Sequence, residues 1–322
     1  MRVGLDSYSY RYASGLWGWR PGLTLGPEGY LRRTLELGLA GVHFADLGHF
    51  PTLEPAYLRG LREQAERDGL YLELGTGGTD PAHLEMALHA AAALGSPVLR
   101  TFVGAFRWQA DVPMREVIER AARDLREVLP LAERLGVRIA LENHLDLATQ
   151  EMVALLEMVG SECLGVCLDT GNPLGLLEDP VEAAETFASY TFTTHLKEFK
   201  AVLRRTGLVL RGVSLGQGDV PNVEIVGILR ARSPLGEDLC LNIETAVERV
   251  TIPMFSGTFL ASLPGLDANR LAGFLSRLAL DDPLGDDRLA LPEELGYSPE
   301  ETLSMEHAQV AQSAAWALEH FG

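Results

Sequence analysis

The chain has 322 residues, 47% of them hydrophobic, and a formal net charge of −18. This length suits one α/β barrel with additions or two ordinary domains, and the apolar content is enough for a large core. The acidic balance argues against nucleic acid or an anionic membrane as a partner, because both require a positively charged protein face.

The N-terminus and the cysteines bear on the cellular compartment. The first ten residues, MRVGLDSYSY, lead directly into a predicted strand and lack the apolar core of a signal peptide, and no apolar run approaches membrane-spanning length. Cys163, Cys167 and Cys240 are too few and too irregularly spaced for a disulfide scaffold or a zinc knuckle, so we interpret them as buried free thiols. We therefore expect a cytoplasmic protein without a membrane partner, and the sequence leaves a homo-oligomer open.

Strand and helix patterns alternate from the first residues, which predicts a parallel sheet with crossover helices. Asp80 and Pro81 form an N-cap with proline at N1, and Gly136 ends the long helix Pro113–Leu135. The predicted strands are Arg2–Tyr8, Gly41–Ala45, Leu70–Gly75, Pro97–Val103, Val137–Leu141, Leu164–Leu168, Tyr190–His195 and Asp238–Ile243. The helices between them begin near Pro27, Pro55, Pro81, Pro113, Thr149, Pro180 and Asn222. This order predicts a (β/α)8 TIM barrel, which we assign to residues 1–265.

One insertion interrupts the repeat. Lys200–Gly216 has the pattern of a β-hairpin that turns at Thr206-Gly207. It directly follows strand seven, so we expect it at the mouth of the barrel, where it would enclose substrate or contact a partner subunit. Glu248–Pro264, after the last strand, is interpreted as a loop of mixed polarity.

Residues 266–322 exceed what a barrel requires. Leu266–Leu280 predicts a helix, Asp281–Asp287 predicts a flexible acidic turn, and Ser298 opens a capping box for a last helix that ends near His320. We expect a C-terminal helical extension that packs on the barrel or lies at a subunit interface.

Predicted strands five to eight each lead into a side chain that can bind a metal ion. Asp169 lies 27 residues after Glu142, His195 lies 26 residues after Asp169, and Glu244 follows 49 residues later. These spacings fit one βα unit, a second unit, and a third that includes the hairpin. Because active sites of such barrels lie at the carboxyl ends of the strands, the four side chains should meet there.

The donor atoms of this set indicate the class of metal. Three carboxylates and one imidazole, without a thiolate, suit Mn²⁺, Mg²⁺ or Co²⁺, and Zn²⁺ also fits. Converging carboxylates repel one another strongly without a cation. Each residue alone is more often a helix cap or a rim group, and it is the common phasing of all four that favours a metal site.

Five motifs, in chain order LENH, LDTGN, HLKE, GQGD and NIET, resemble the sugar phosphate isomerase/epimerase superfamily, the xylose isomerase-like barrels. This superfamily includes ketose 3-epimerases, hydroxypyruvate isomerase and inosose dehydratase, with endonuclease IV as a more distant member. The resemblance spans about residues 1–250 and is strongest from residue 138 onward.

For the site, the resemblance implies that Glu142, Asp169, His195 and Glu244 bind the metal, with Mn²⁺ as the expected ion. It also implies that Glu142 and Glu244 act as acid and base on opposite faces of the substrate. The physical logic is independent of the resemblance: a metal that chelates a carbonyl oxygen and the neighbouring hydroxyl lowers the pKa of the α-proton and stabilises an enediolate. One carboxylate then removes a proton and the other returns one.

Several positions depart from the ketose 3-epimerase pattern. Asn172 stands where those enzymes carry His, and His43 stands where Glu is usual. The Arg that they use after the His strand has no clear match, although Lys197 or Lys200 could replace it. These departures weaken assignment to a free-ketose epimerase and leave the metal site intact.

Candidate substrate-binding residues follow from position. His144 and Lys197 lie two residues after Glu142 and His195, so strand alternation points them the same way as those ligands. Both could bind substrate hydroxyls, and Lys197 also suits a carboxylate or a phosphate. The remaining candidates, for some of which loop packing is the alternative, are Asn172, Arg107, Trp108 and Trp17.

The sequence thus favours a divalent-metal-dependent sugar or keto-sugar isomerase or epimerase, with a small sugar or keto acid as its substrate. A hydro-lyase similar to inosose dehydratase would use the same proton abstraction and is the nearest alternative. A nuclease similar to endonuclease IV is disfavoured, because it requires further His ligands and Asn172 occupies one such position. A non-catalytic, metal-stabilised binding protein is the third class.

Overall fold

The computed structural model describes residues 1–16, 25–109, 112–278 and 289–322. Within these residues, eight parallel strands close into a barrel in the ring order β1-β2-β3-β4-β5-β6-β7-β10, and β10 pairs with β1. The strands are β1 (Arg2–Asp6), β2 (Gly41–Phe44), β3 (Tyr71–Gly75), β4 (Val98–Thr101), β5 (Arg138–Glu142), β6 (Leu164–Asp169), β7 (Thr191–Leu196) and β10 (Cys240–Ile243). The predicted TIM barrel is confirmed.

Helices surround this barrel, and their ends carry the predicted signals. Asp80 accepts a hydrogen bond from the backbone N–H of His83 at 2.9 Å, and Gly136 ends α4 with a positive φ of 68°. The helices are α1 (Pro27–Glu36), α2 (Pro55–Arg67), α3 (Pro81–Leu94), α4 (Met114–Leu135), α5 (Thr149–Val159), α6 (Pro180–Phe187), α7 (Asn222–Arg232), α8 (Gly257–Ser262), α9 (Ala268–Arg277), the short helix Pro292–Leu295 and the last helix, Pro299–Phe321. None of the helices in the described residues combines the length and the apolar character needed to cross a membrane.

The barrel interior holds a layer of buried polar side chains. Because helices cover the outside, the strands are buried on both faces and are largely apolar. Near the carboxyl ends, however, several interior positions carry charged or polar groups. These include Asp6, His43, Glu73, Arg100, Glu142, Asp169, His195 and Asn242. The polar layer places the chemistry of this protein at one end of the barrel.

A small antiparallel sheet lies beside the barrel. The hairpin expected at Lys200–Gly216 is present as β8 (Phe199–Arg204) and β9 (Gly207–Gly212), with Arg204 paired to Gly207. A third strand, β11 (Arg249–Ile252), pairs with β9. Interpretation of residues 248–264 as a loop was therefore wrong, because this segment contains β11 and α8. Four residues are too few to show a strand period, and β11 is defined by its pairing with a distant part of the chain.

The last helix packs on β1, on β10 and on the turn Ser7–Tyr10. This is the position of the eighth helix in a barrel of βα units, so the C-terminal segment covers the junction at which the barrel closes. Gln309 Nε2 donates to the carbonyl oxygen of Thr245 at 2.7 Å. The helix therefore supports the backbone next to Glu244. The predicted acidic turn at 281–287 lies outside the described residues.

Glu306 on the last helix fixes the loop after β1. Its buried carboxylate accepts hydrogen bonds from the backbone N–H groups of Tyr12 at 2.6 Å and Ala13 at 2.9 Å. Burial raises the pKa of Glu306 to about 7, although both N–H groups favour the ionised form. A group of this kind makes stability depend on pH.

We expect Glu306→Gln to change that dependence. The folded-state pKa of about 7 exceeds the ordinary value of about 4.3, so between these values the folded protein binds more protons than the unfolded chain. Glu306 therefore lowers the free energy of unfolding as the pH rises from about 5 to about 8, by up to roughly 2–3 kcal/mol. Denaturant unfolding at both pH values measures the total loss, which should be smaller by this amount in the variant; other buried carboxyl groups with a raised pKa, such as Glu198, account for the rest.

Glu319→Gln, which changes an exposed carboxylate on the same helix, is the control and should keep the wild-type dependence. Equal pH dependence in wild type and Glu306→Gln would contradict the role given to Glu306.

Candidate metal centre

The structure brings together the four residues predicted from the sequence to bind a metal. Glu142 and Asp169 are the last residues of β5 and β6, and His195 is the next-to-last residue of β7. Glu244 directly follows β10. One nitrogen or oxygen atom of each lies within 4.8 Å of the others, and all four side chains are buried. His195 Nδ1 is 3.4 Å from Glu142 Oε1 and 3.4 Å from Glu244 Oε2.

The donor atoms fit a divalent cation. Glu142 Oε2, Asp169 Oδ2, His195 Nδ1 and Glu244 Oε2 are buried and make no hydrogen bond with any described residue. The three oxygens lie near the cationic groups of Arg100 or Lys197, which only partly compensate for their burial. A bound cation would satisfy this arrangement, and its oxygen-rich chemistry matches Mn²⁺, Mg²⁺, Co²⁺ or Zn²⁺.

Asp169 is held by the LDTGN turn that follows its strand. The backbone N–H groups of Gly171 and Asn172 both donate to Asp169 Oδ1 at 2.8 Å. Asn143 holds the Asp169 backbone on both sides, accepting from its N–H at 2.8 Å and donating to its carbonyl oxygen at 2.9 Å. One carboxylate oxygen is thus used by the turn, and Oδ2 is left to face the cluster.

Two buried cations flank the carboxylates. Lys197 Nζ lies 3.1 Å from Asp169 Oδ2 and 3.0 Å from Glu244 Oε2. Arg100 Nε lies 3.0 Å from Glu142 Oε2. Sequence reasoning missed Arg100, although a charged residue in the otherwise apolar segment VLRT of β4 was an available signal.

When no cation is bound, the pKa values of the two glutamates are shifted in opposite directions. Burial favours the neutral form of Glu142, but the charges of Arg100, His144 and His195 outweigh it and hold the pKa of Glu142 well below its usual range. For Glu244, burial prevails over the attraction of Lys197 and His195 and raises its pKa to about 8.

A cavity of about 320 Å³ lies against the cluster, with Glu244 in its wall. Phe199 and Val250 of the small sheet also line it, which places that sheet at the mouth of the barrel. Phe102 stacks on His144 with ring centroids 4.1 Å apart, and Phe106 stacks on Trp108 at 5.0 Å. Four predicted substrate-binding residues line the cavity: His144, Asn172, Lys197 and Trp108.

Arg107, another predicted substrate-binding residue, is not part of the cavity wall. The buried guanidinium of Arg107 contacts the Glu151 carboxylate and the carbonyl oxygens of Asp146 and Ser262, so it fixes the surrounding loops and does not line the cavity. Trp17 lies outside the described residues. Lys200 forms an ion pair with Asp219 at 2.8 Å and is likewise absent from the cavity wall.

Sequence reasoning also missed groups on and near β1. Asp6 ends β1 as Asp169 ends β6, and it lies beside His43 and His195. Glu248 lines the cavity and accepts a hydrogen bond from the Tyr8 hydroxyl at 2.9 Å. The same rule that identified Asp169, a carboxylate at the end of an apolar strand, would have identified Asp6.

Comparison with known proteins places the chain in a family. A model of the family described as xylose isomerase-like TIM barrel matches residues 31–245, which is more than half of the chain. The chain belongs to this family. The resemblance found in the sequence motifs is thereby confirmed.

Several individual proteins are similar to this chain in sequence or in structure. The chain is 33% identical over 221 residues to 3-oxo-isoapionate decarboxylase of Pectobacterium atrosepticum, a match that covers 68% of this chain and 77% of the relative. A crystal structure of D-psicose 3-epimerase in the presence of D-fructose is similar over 100% of both chains, with a TM-score of 0.63 and 16% identity. The IOLI protein with a bound zinc atom has a TM-score of 0.54 and 14% identity, over 86% of this chain and 95% of that chain. At such identities the structural likeness shows the fold alone.

We expect Asp169→Asn to weaken stabilisation by metal, because the amide keeps an oxygen but loses the negative charge that attracts the cation. Mn²⁺ at about 100 times its Kd should raise the free energy of unfolding of the chelator-treated wild type by about 2.7 kcal/mol. Ca²⁺ should do less at equal concentration, because it prefers six to eight oxygen ligands. Unfolding curves with and without each ion measure the effect.

Glu73→Gln is a matched control, since it changes another buried barrel carboxylate that instead accepts hydrogen bonds from Thr193 and Asn242. A Mn²⁺ effect that is undiminished in Asp169→Asn, or that disappears in Glu73→Gln, would count against this site.

Proposed function

We propose that this protein is a divalent-metal-dependent enzyme that isomerises or epimerises a small sugar or keto sugar by moving a proton next to its carbonyl group. The observation that carries the proposal is the set of four buried donor atoms, from Glu142, Asp169, His195 and Glu244, beside a cavity within the range of small-molecule sites. We expect Mn²⁺ as the ion, with Mg²⁺, Co²⁺ and Zn²⁺ as alternatives.

The two glutamates are the proposed acid and base. A divalent ion held by the four residues would polarise a substrate carbonyl and its neighbouring hydroxyl, which acidifies the adjacent C–H group. Glu142, whose environment favours the ionised form, is suited to remove that proton. Glu244 comes from β10, separated from β5 in the ring by β6 and β7. The two carboxylates therefore approach the cluster from strands that are not neighbours, and Glu244 also lines the cavity, which suits proton transfer on different faces of the substrate.

Other residues of the site hold these groups and the substrate. Asn172 Nδ2 donates to Glu142 Oε1 at 3.3 Å, and Arg100 pairs with the other oxygen, so the orientation of the base is fixed. Lys197 is a cationic donor within reach of a substrate oxygen in the cavity. The stacked rings of Phe106 and Trp108 provide an apolar wall for the C–H face of a sugar and limit access of water.

Decarboxylation of a 3-oxo sugar acid is the second candidate. It is supported by 33% identity to a protein named 3-oxo-isoapionate decarboxylase, and by Lys197, a buried cation in the cavity wall that can pair with a substrate carboxylate. Loss of CO₂ from a 3-oxo acid leaves an electron pair next to the carbonyl, so the same electrostatic stabilisation serves both reactions. A hydro-lyase would begin with the same proton abstraction.

One experiment distinguishes the candidates. Mn²⁺-loaded protein is incubated in D₂O with a panel of free ketoses and 3-oxo sugar acids, and the products are followed by ¹H and ¹³C NMR. Deuterium next to the carbonyl without loss of carbon or water supports an isomerase or epimerase. Release of CO₂ with deuterium at the carbon that carried it supports the decarboxylase, and loss of water supports the hydro-lyase. Absence of deuterium from every compound would contradict enediolate chemistry.

Glu142→Gln and Glu244→Gln should each lose turnover far more than they lose metal. Glutamine keeps an oxygen that can bind a cation, but it cannot accept a proton near neutral pH. Removal of a general base typically costs about 10²–10⁴-fold in rate. Turnover and bound metal are measured on the same samples, and for an epimerase each variant should lose deuterium exchange for one epimer preferentially. Near-wild-type turnover in either metal-loaded variant would show that this Glu is a ligand only.

A further inference from the structure

We propose that Asp6 is a positioning residue that fixes the orientation of His195. Its carboxylate holds the Nε2–H side of the His195 ring, so that Nδ1 faces Glu142 and Glu244. This inference rests on the proposed metal site and adds a residue to it that neither the motifs nor the family resemblance assigns.

The geometry behind His195 carries the proposal. Asp6 and His195 are both completely buried, and Asp6 Oδ2 lies 3.4 Å from His195 Nε2, on the side of the ring opposite the cluster. A lone pair at Nε2 would face this anionic oxygen and be repelled by it. A proton at Nε2 is attracted instead, and it leaves the Nδ1 lone pair directed at the carboxylates of Glu142 and Glu244.

His43 shares the same oxygen. His43 Nδ1 makes a close contact with Asp6 Oδ2 and lies 3.2 Å from His195 Nε2. Two neighbouring ring nitrogens that both carry a proton cannot bond to each other, and Asp6 Oδ2, which lies beside both, is the acceptor they share. His43 therefore donates to Asp6, and the same oxygen remains the acceptor for His195.

Asp6 itself is held in place from the other side. Its Oδ1 accepts a hydrogen bond from the backbone N–H of Tyr8 at 2.6 Å. Both carboxylate oxygens are thus engaged, and rotation of the side chain would break contacts at each end. Cys167 also contacts His195, but a thiol is a weaker acceptor than a carboxylate.

A carboxylate behind a metal-binding histidine fixes the tautomer and increases the basicity of the ligating nitrogen. Loss of such a partner typically costs 10- to 100-fold in metal affinity or activity. In Asp6→Asn, the amide can keep the Tyr8 hydrogen bond only by turning its NH₂ group toward the two histidines. The Nε2–H of His195 then loses its acceptor, and the proton is favoured on the nitrogen that faces the cluster.

The test uses the full chain loaded with Zn²⁺, which is diamagnetic, and labelled with ¹⁵N-histidine. In wild type, long-range ¹H–¹⁵N correlations should show His195 with a metal-bound Nδ1 and a downfield, slowly exchanging proton on Nε2. Asp6→Asn should lose or shift that proton and should weaken Zn²⁺ binding, measured by chelator competition, by about 10- to 100-fold. Glu73→Gln, the acid-to-amide control elsewhere in the barrel, should change neither.

Three outcomes would overturn the inference. Wild-type protein in which Zn²⁺ binds Nε2 of His195 would overturn the inference, even if Asp6→Asn fails to fold. An unchanged Nε2–H resonance in Asp6→Asn would also overturn the inference, even if the affinity for Zn²⁺ falls. A purely electrostatic role of Asp6 would weaken binding without moving that proton. A wild type that does not bind Zn²⁺ or Mn²⁺ overturns the proposed function and, with it, this inference.

Discussion

The structure depends on keeping several carboxylates together in a buried place. Two like charges about 4 Å apart repel by roughly 4 kcal/mol at an effective dielectric constant of about 20. Arg100 and Lys197 offset part of this repulsion, since each contacts oxygens of the cluster. Two fixed cations nevertheless face the three carboxyl groups of the cluster, Glu142, Asp169 and Glu244. A divalent ion would supply the missing positive charge, and the donor atoms of these residues and of His195 mark where it would bind.

The barrel fold brings these distant residues together. Parallel strands bring their carboxyl ends to one rim, so residues far apart in the chain meet without any one of them having to be near another in sequence. The surrounding segments then restrict movement at this rim. The LDTGN turn holds Asp169, the last helix supports the backbone after Glu244, and the small sheet forms part of the cavity wall. Segments outside the simple βα repeat thus serve the site.

Much of this arrangement could be predicted from the sequence because two strong signals coincide. The alternation of strands and helices predicts the barrel. The spacing of Glu142, Asp169 and His195 predicts that these side chains meet at the carboxyl ends of its strands. Asp6 was not predicted, although it ends its strand in the same way, because no family motif drew attention to β1. Sequence patterns report periodicity and strand ends; they do not report which neighbour a side chain contacts.

Contacts between distant segments account for the other differences. Arg107 lies in a loop on the active-site side, yet its guanidinium contacts Asp146, Glu151 and Ser262. No local sequence pattern reveals these contacts. The strand β11 exists through its pairing with β9, and its four residues have no periodic signature of their own. Both features depend on tertiary structure that spacing alone does not encode.

The central claim is that Glu142, Asp169, His195 and Glu244 bind one divalent cation. Crystals of the chelator-treated protein soaked in Mn²⁺ or Co²⁺, with data collected at the absorption edge of the metal, test it directly. We expect one strong anomalous difference peak within bonding distance of all four side chains, with Asp6 on the far side of the His195 ring. A protein that takes up the metal elsewhere, or that leaves this position without a peak at saturating metal, would contradict it.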